Sequence, residues 1–302
     1  MPPPVTTPFF VIAGATACGK SALAVRAAEQ CGGEIVGGDA FQVYAGLEIL
    51  TAQPEPALRA RVPHHLIGEV SLHRRFDVAQ YAELARVRIA EIHARGRVPI
   101  VCGGTGLYLR ALLRGLAELP AADEKLRAEL EQQPAEELVR RLRDLDPAGA
   151  VAVDRQNPRR VIRALEVCLL TGRPFSSFRE QWAVPPRARG VFLHRDRAEL
   201  HTRIAARTER MFHAGVEAEV RRAGDAGETA ASAIGFREVQ RLDAGEINRA
   251  ECVRLIAEST RQYAKRQETW FRRETGLRRV ELSEPVFETV ASALAHEAGA
   301  LR

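Results

Sequence analysis

The sequence predicts a parallel α/β sheet flanked by helices, with a helical segment inserted into it. Three observations predict this class. Gly14-Ala15-Thr16-Ala17-Cys18-Gly19-Lys20-Ser21 matches G-x-x-x-x-G-K-[ST], a loop whose backbone N–H groups cradle phosphates. It sits between the apolar run Phe9–Ala13 and a stretch of helical spacing, Ser21–Gln30. Strand and helix signals then alternate down to the helix opening at Leu107, as crossover-connected parallel strands require.

Each element has its own reason. Phe9–Ala13 is short, β-branched and aromatic, and reads as a buried strand. With that strand before it and a helix after it, Gly14–Ser21 forms the loop of a P-loop NTPase-like fold. The helix that follows points free N–H groups and its positive dipole end at a bound anion. Lys20 adds a point charge, and the Ser21 hydroxyl suits Mg2+. Glu34-Ile35-Val36 is a second strand, running into Asp39-Ala40-Phe41-Gln42. An Asp there lies at the carboxyl edge of the sheet, where α/β proteins bind ligands, although a cap or turn Asp has the same spacing. Leu66–Val70 reads as a third strand, preceded by His64-His65. Asp77 reads as an N-cap for a helix over Val78–Arg95 that stops at Gly96. Val98–Cys102 is a continuous apolar strand, and Gly103-Gly104-Thr105-Gly106 places a hydroxyl at the same edge as the phosphate loop, with a plain strand-to-helix turn as the main alternative.

From about 121 to 187 strand signals vanish, and helices are predicted at Asp123–Gln133, Ala135–Leu145 and Pro158–Leu170. The expected organisation is therefore an α/β domain of residues 1–120 and 188–302 with an insertion domain of residues 121–187. Val191–Leu193 returns as a strand. Long helices follow at Ala198–Gly215 and Ala250–Arg273, with a closing strand near Arg279–Leu282.

Composition narrows the class. The chain is 46% hydrophobic and 27% charged, as a soluble globular protein is, and no apolar run suits a membrane span. Met1–Pro8 lacks the basic residue of a secretory signal, so a cytoplasmic location is expected. The five cysteines are scattered and form no metal-ligand spacing, so reduced thiols are expected. Net charge is +5, but its distribution matters more. Eight arginines face two glutamates between Arg155 and Arg189, and seven basic residues face two glutamates between Arg261 and Arg279. Two basic blocks suit an anionic partner larger than one nucleotide, as well as plain solvated helix faces.

The phosphate loop alone names no reaction. An ATPase motor usually places an acid after a buried strand, yet Val98–Cys102 ends in glycines, which tilts the reading toward a transferase. A P-loop nucleotide or nucleoside kinase would use arginines such as Arg159, Arg160, Arg163 and Arg237 on the transferred group. A transferase releasing diphosphate from an allylic donor would use the loop to stabilise its leaving group and Asp39 to take a proton from the nucleophile. A nucleotide-regulated RNA-binding protein without catalysis is a third reading.

Taken in order, these segments resemble the tRNA dimethylallyltransferase (tRNA isopentenyltransferase) family. The phosphate loop is similar to G-P-T-A-[SG]-G-K-[ST]. Asp39–Tyr44 is similar to D-S-x-Q-V-Y, Thr51–Pro54 to the end of G-T-A-K-P, Pro63–Leu66 to P-H-H-L, and Gly103–Tyr108 to G-G-T-G-L-Y. Asn157–Glu166, Ile234–Glu238 and Thr260–Gln267 with Thr269–Phe271 complete an ordered set spanning about residues 9 to 273. The resemblance implies transfer of a dimethylallyl group from dimethylallyl diphosphate to N6 of adenosine 37, beside the anticodon, by a monomer of the bacterial type. It implies Asp39 as general base, Thr105 near the reacting groups, and Lys20, Ser21, the loop backbone and Arg237 around the diphosphate, with Mg2+ on Ser21. It further implies that the tRNA anticodon stem-loop meets Asp39, Ala40, Phe41, Gln42, Thr105, Arg127, Arg159, Arg160, Val161, Ile162, Arg163, Lys265 and Arg266. An adenine in a stem-loop must leave its stack to react. The chain departs from the family pattern at Ala40 (usually Ser), Leu50 (Gly), Gln53 (Lys) and Gly68 (Asp), and none of these carries an assigned chemical role. Cys18 stands where Ser or Gly is usual. A thiol at a helix N-terminus can be acidified, which would make it sensitive to oxidation, although the favoured reading is a residue that is merely small.

Overall fold

The computed structural model describes residues 7–155, 157–182, 189–274 and 276–302. Among them, six parallel strands form one sheet: β1 Phe10–Gly14, β2 Gly33–Gly37, β3 His64–His65, β4 Val98–Gly103, β5 Arg189–His194 and β6 Arg278–Glu281. Their order is β3-β2-β4-β1-β5-β6. Helices α1 Lys20–Cys31, α2 Pro56–Arg59, α3 Val78–Ala94 and α4 Gly106–Arg114 belong to the first part of the chain. Then come α5 Glu124–Glu131, α6 Ala135–Leu145, α7 Pro147–Ala152 and α8 Pro158–Thr171. Last are α9 Arg197–His213, α10 Val216–Ala223, α11 Phe236–Asp243, α12 Arg249–Arg273 and α13 Phe287–Gly299.

The sheet is buried on both faces, as a parallel sheet must be. Alternation along β1 makes this visible. Val11 and Ala13 enter one apolar core with Tyr81, Ile89, Phe192 and Phe271, while Phe10 and Ile12 enter another with Leu23, Ala27, Leu200 and Leu294. The topology fixes where function can lie. β2, β4 and β1 are consecutive in the sheet, so the segments leaving their carboxyl ends are neighbours whatever their distance in sequence. Those segments are Gly38–Tyr44, Gly104–Gly106 and the phosphate loop.

The third strand differs from expectation. It is His64–His65, paired with Ile35 and Val36, and not Leu66–Val70. Leu66 and Gly68 take φ of 58° and 65°, left-handed values that cannot continue a strand. α3 follows its signals closely. Asp77 accepts from the N–H groups of Ala79 and Gln80, and the Gln80 side chain returns the bond to Asp77 N–H, a complete capping box. The helices α2, α7, α10, α11 and α13 are additional to those predicted; α11 buries only Phe236 and Val239, too few for a periodic signal.

Chain contacts divide the protein into two units, Arg114–Pro185 and a larger one of Pro2–Leu113 with Pro186–Arg302. The helical unit thus starts slightly before the expected 121. It has its own core, formed by Leu130, Leu138, Leu142, Val161, Ile162 and Leu165 among others. Its centre also holds a carboxylate. Glu166 is fully buried and accepts from Asp123 N–H at 2.7 Å and from Arg127 Nε and Nη2 at 3.0 and 2.9 Å, with Arg163 as a further donor. Burial drives this carboxyl toward a higher pKa, but the donors together outweigh it and hold the pKa below the ordinary value.

Candidate active site

The phosphate loop links β1 to α1. Ala17 and Gly19 take φ of 65° and 100°, the left-handed backbone from which anion nests are built. Gly19 is the N-cap of α1 and supplies no side-chain acceptor, so the first-turn N–H groups are left for a ligand. Gly14 is required by packing, because a Cβ there would lie 2.7 Å from Cys18 Sγ. Lys20 is buried beneath the loop, with Nζ 3.5 Å from Ala15 O.

Three arginines that sequence reasoning left unassigned hold the loop from outside. Arg195 Nε donates to Cys18 O at 3.0 Å, Arg203 Nε donates to Ala17 O at 3.0 Å, and Arg207 Nη1 donates to Thr16 Oγ1 at 2.7 Å. The first two bonds hold loop carbonyls and the third a loop hydroxyl, and Arg195 and Arg203 are themselves paired with Glu199 and Glu284. Burial pushes the pKa of Arg207 down to about 10, and the nearby Asp39 carboxylate opposes that fall. Its Nε is closed off from solvent with no partner among the described residues. A guanidinium in that condition is stabilised by an incoming anion. Arg203 and Arg207 stand four residues apart on α9, on one helical face, and that spacing is the signal that could have found them. Arg237, expected at the diphosphate, is exposed on α11, and no hydrogen bond or ion pair among the described residues joins it to the loop.

Asp39 follows β2. Its Oδ1 accepts from the N–H groups of Phe41 at 3.0 Å and Gln42 at 3.4 Å, an Asx turn that aims the carboxylate. Thr105 stands beside it. Its N–H donates to Gly38 O at 3.1 Å, and its Oγ1 accepts from Ala40 N–H at 3.0 Å. Asp39 and Thr105 thus sit on two loops stitched together across adjacent strands, both half-buried. Gln42 donates from its amide to Thr51 O and Ala52 O at 3.2 and 2.9 Å, so its NH2 group is used to shape the loop. Ala40 and Phe41 are half-buried beside it.

α12 crosses this edge. Lys265 and Arg266 are exposed on it, with the Arg266 guanidinium 5.7 Å from the Tyr263 ring centroid. Tyr263 faces Thr105 and Gln267, and burial raises its pKa well above that of a free phenol.

The other expected tRNA contacts lie in the helical unit. Arg159 and Arg160 are exposed at the start of α8. Val161 and Ile162, in the same expected segment, are core residues at 2% and 5% exposure, so their side chains pack inside the unit. Period-3.6 patterning puts them on the apolar face of α8, opposite the arginines. Arg127 and Arg163 hold Glu166, as described above.

Cys18 fits the small-residue reading and not the oxidation-sensitive one. Its thiol is 1% exposed, and burial raises its pKa despite the nearby Lys20 and Arg195 charges. It is an inert packing group under the loop. Two departures from the family pattern meet in space. A Cβ on Gly68 would lie 3.2 Å from Gln53 Oε1, and the buried Gln53 donates to Tyr44 O at 2.8 Å. The positions where the family pattern has Lys and Asp are therefore neighbours, and both are neutral here.

Among the described residues no helix is long and apolar enough to cross a membrane, and no group of three or more His, Cys, Asp or Glu stands together.

Comparison with known proteins bears on these observations. The family model described as IPP transferase matches residues 42–274. A tRNA dimethylallyltransferase of Akkermansia muciniphila is 43% identical over 272 residues, covering 90% of this chain and 92% of that protein. One from Geobacter sulfurreducens is 44% identical, covering 91% and 92%. Among solved structures, a full-length tRNA isopentenylpyrophosphate transferase of Bacillus halodurans is 32% identical with a TM-score of 0.70, covering 98% of this chain and 99% of that one. A eukaryotic dimethylallyltransferase acting on tRNA is 26% identical with a TM-score of 0.80, covering 96% of this chain and 78% of that one. With an ordered phosphate loop, an aspartate and a threonine on adjoining strand ends, and relatives of this identity along nearly its whole length, the chain belongs to the IPP transferase family.

Proposed function

We propose that this protein transfers a dimethylallyl group from dimethylallyl diphosphate to N6 of adenosine 37 of tRNA, releasing diphosphate. The observation that carries the reading is the shared strand edge: the phosphate loop, Asp39 and Thr105 leave three consecutive parallel strands.

The diphosphate occupies the nest of Gly14–Ser21, with Lys20 and Arg207 as its cationic partners. Arg207 takes the place that the family resemblance implies for Arg237. The adenine, drawn from the anticodon stack, lies against Asp39 and Thr105. N6 attacks the allylic carbon, the carbon–oxygen bond to diphosphate breaks, and the N6 proton passes to the Asp39 carboxylate. Two N–H donors hold Asp39 Oδ1, which leaves Oδ2 to take that proton. The loop N–H groups stabilise charge growing on the leaving oxygen without reorganising. Ser21, half-buried at the start of α1, would hold Mg2+, which when bound would neutralise charge on the leaving group. Arg159 and Arg160 in one unit, and Lys265 and Arg266 in the other, bind RNA phosphates.

The test is one preparation assayed in two ways. Unmodified tRNA, Mg2+ and dimethylallyl diphosphate are expected to give prenylated adenosine by nucleoside mass spectrometry. ATP with nucleoside monophosphates is expected to give no phosphate transfer; transfer in that arm alone would replace this reading with a kinase.

A further inference from the structure

α12 touches both halves of the site through one side chain. Gln267 Oε1 accepts from Thr16 N–H at 2.8 Å, and its Nε2 donates to Gly104 O at 2.8 Å. Thr16 is in the phosphate loop, and Gly104 immediately precedes Thr105. The amide is 4% exposed, so both bonds form out of water. Neighbouring turns of the helix press on the same segment. Tyr263, one turn earlier, faces Thr105, and Trp270, one turn later, covers Gly106 so closely that a Cβ there would lie 2.3 Å from its ring. Gly104 is equally constrained, since a Cβ would lie 2.2 Å from Gln267 Nε2. The Gly-Gly-Thr-Gly turn is thus shaped to receive α12.

We infer that Gln267 is a positioning residue that fixes the phosphate loop relative to the Asp39–Thr105 edge. This rests on the transfer reading above. One group must offer an acceptor to Thr16 and a donor to Gly104 at once, and only a primary amide of this length does both. Glu keeps the acceptor but sets a carboxylate against the Gly104 carbonyl. Leu fills the space and supplies neither bond. An in-line displacement is sensitive to this spacing, because a misplacement of about 1 Å costs about 100-fold in rate.

The experiment compares the full-length wild type with Gln267→Leu and Gln267→Glu. Single-turnover prenyl transfer to an anticodon stem-loop is read as amplitude and rate constant, alongside peptide-level hydrogen exchange. The expected result is full amplitude, a rate constant lowered by about 100-fold, and stem-loop affinity within about twofold of wild type. Exchange should rise together in the peptides holding Thr16 and Gly104. A residue that only supports folding would instead lower the amplitude at an unchanged rate constant, and that result overturns the inference. Exchange that rises in one of the two peptides, or in neither, overturns it as well. Loss of transfer in the wild type itself would instead remove the transfer reading, and the exchange result would still decide the clamp.

Discussion

Replacing Glu166 with Gln tests how the helical unit is held together. The substitution keeps the shape and removes the charge at a site with 0% exposure. Four donor groups converge on the wild-type carboxylate: Asp123 N–H, two from Arg127, and one from Arg163. A Gln amide has one oxygen, so its NH2 group must face a guanidinium. Removing one partner of a buried ion pair costs about 3–5 kcal/mol. The Arg127 and Arg163 side chains are 19% and 28% exposed and can partly rehydrate, which favours the lower end, about 3 kcal/mol. The open population of a unit of this size then rises by about two orders of magnitude. Urea titration combined with limited proteolysis between 114 and 185 reads this directly. The pH dependence carries its own sign. The folded pKa of Glu166 is depressed, so its stabilisation is present above the unfolded carboxyl value of about 4.3 and is lost as pH falls through the folded pKa. The Glu166→Gln substitution abolishes that component of acid sensitivity. A change in stability below about 0.5 kcal/mol, with an unaltered acid transition, would refute the reasoning.

Arg207→Ala is expected to weaken pyrophosphate binding by about 10- to 100-fold in calorimetry, the value of one charge-assisted contact, while Arg237→Ala changes it by less than about twofold. The reverse ranking would return the diphosphate to Arg237. Cys18 is expected to resist thiol reagents and dilute peroxide in the native protein and to react fully in urea. Rapid native modification at Cys18 would contradict its placement beneath the loop.

What was readable in the sequence is what local chemistry dictates. The phosphate loop has a rigid pattern because its glycines serve backbone geometry. Asp77 and Gln80 announce the start of α3 through a capping box that needs no tertiary partner. Pro158 and Gly172 bracket α8 in the same way. The third strand was misread because left-handed φ at Leu66 is imposed by the surrounding fold and leaves no mark on a leucine. The spacing of Arg203 and Arg207 marks a shared helical face, but what the arginines around the loop bind is unreadable for a related reason. Arg195 and Arg203 reach backbone carbonyls from 177 and 186 residues away, and in sequence a basic residue looks the same whether it meets water or a buried carbonyl. Gln267 was legible as part of a motif, but its two bonds depend on where α12 crosses the sheet edge.

The most direct measurement takes Asp39→Asn. The amide oxygen still accepts from Phe41 and Gln42 N–H, so the turn survives, while the proton acceptor is gone. Single-turnover transfer and stem-loop affinity are measured on the same preparation. The expected result is a transfer rate lowered by about 100- to 10,000-fold with affinity within about twofold of wild type. Transfer at the wild-type rate, or collapse of RNA binding with it, would contradict the claim that Asp39 takes the adenine proton.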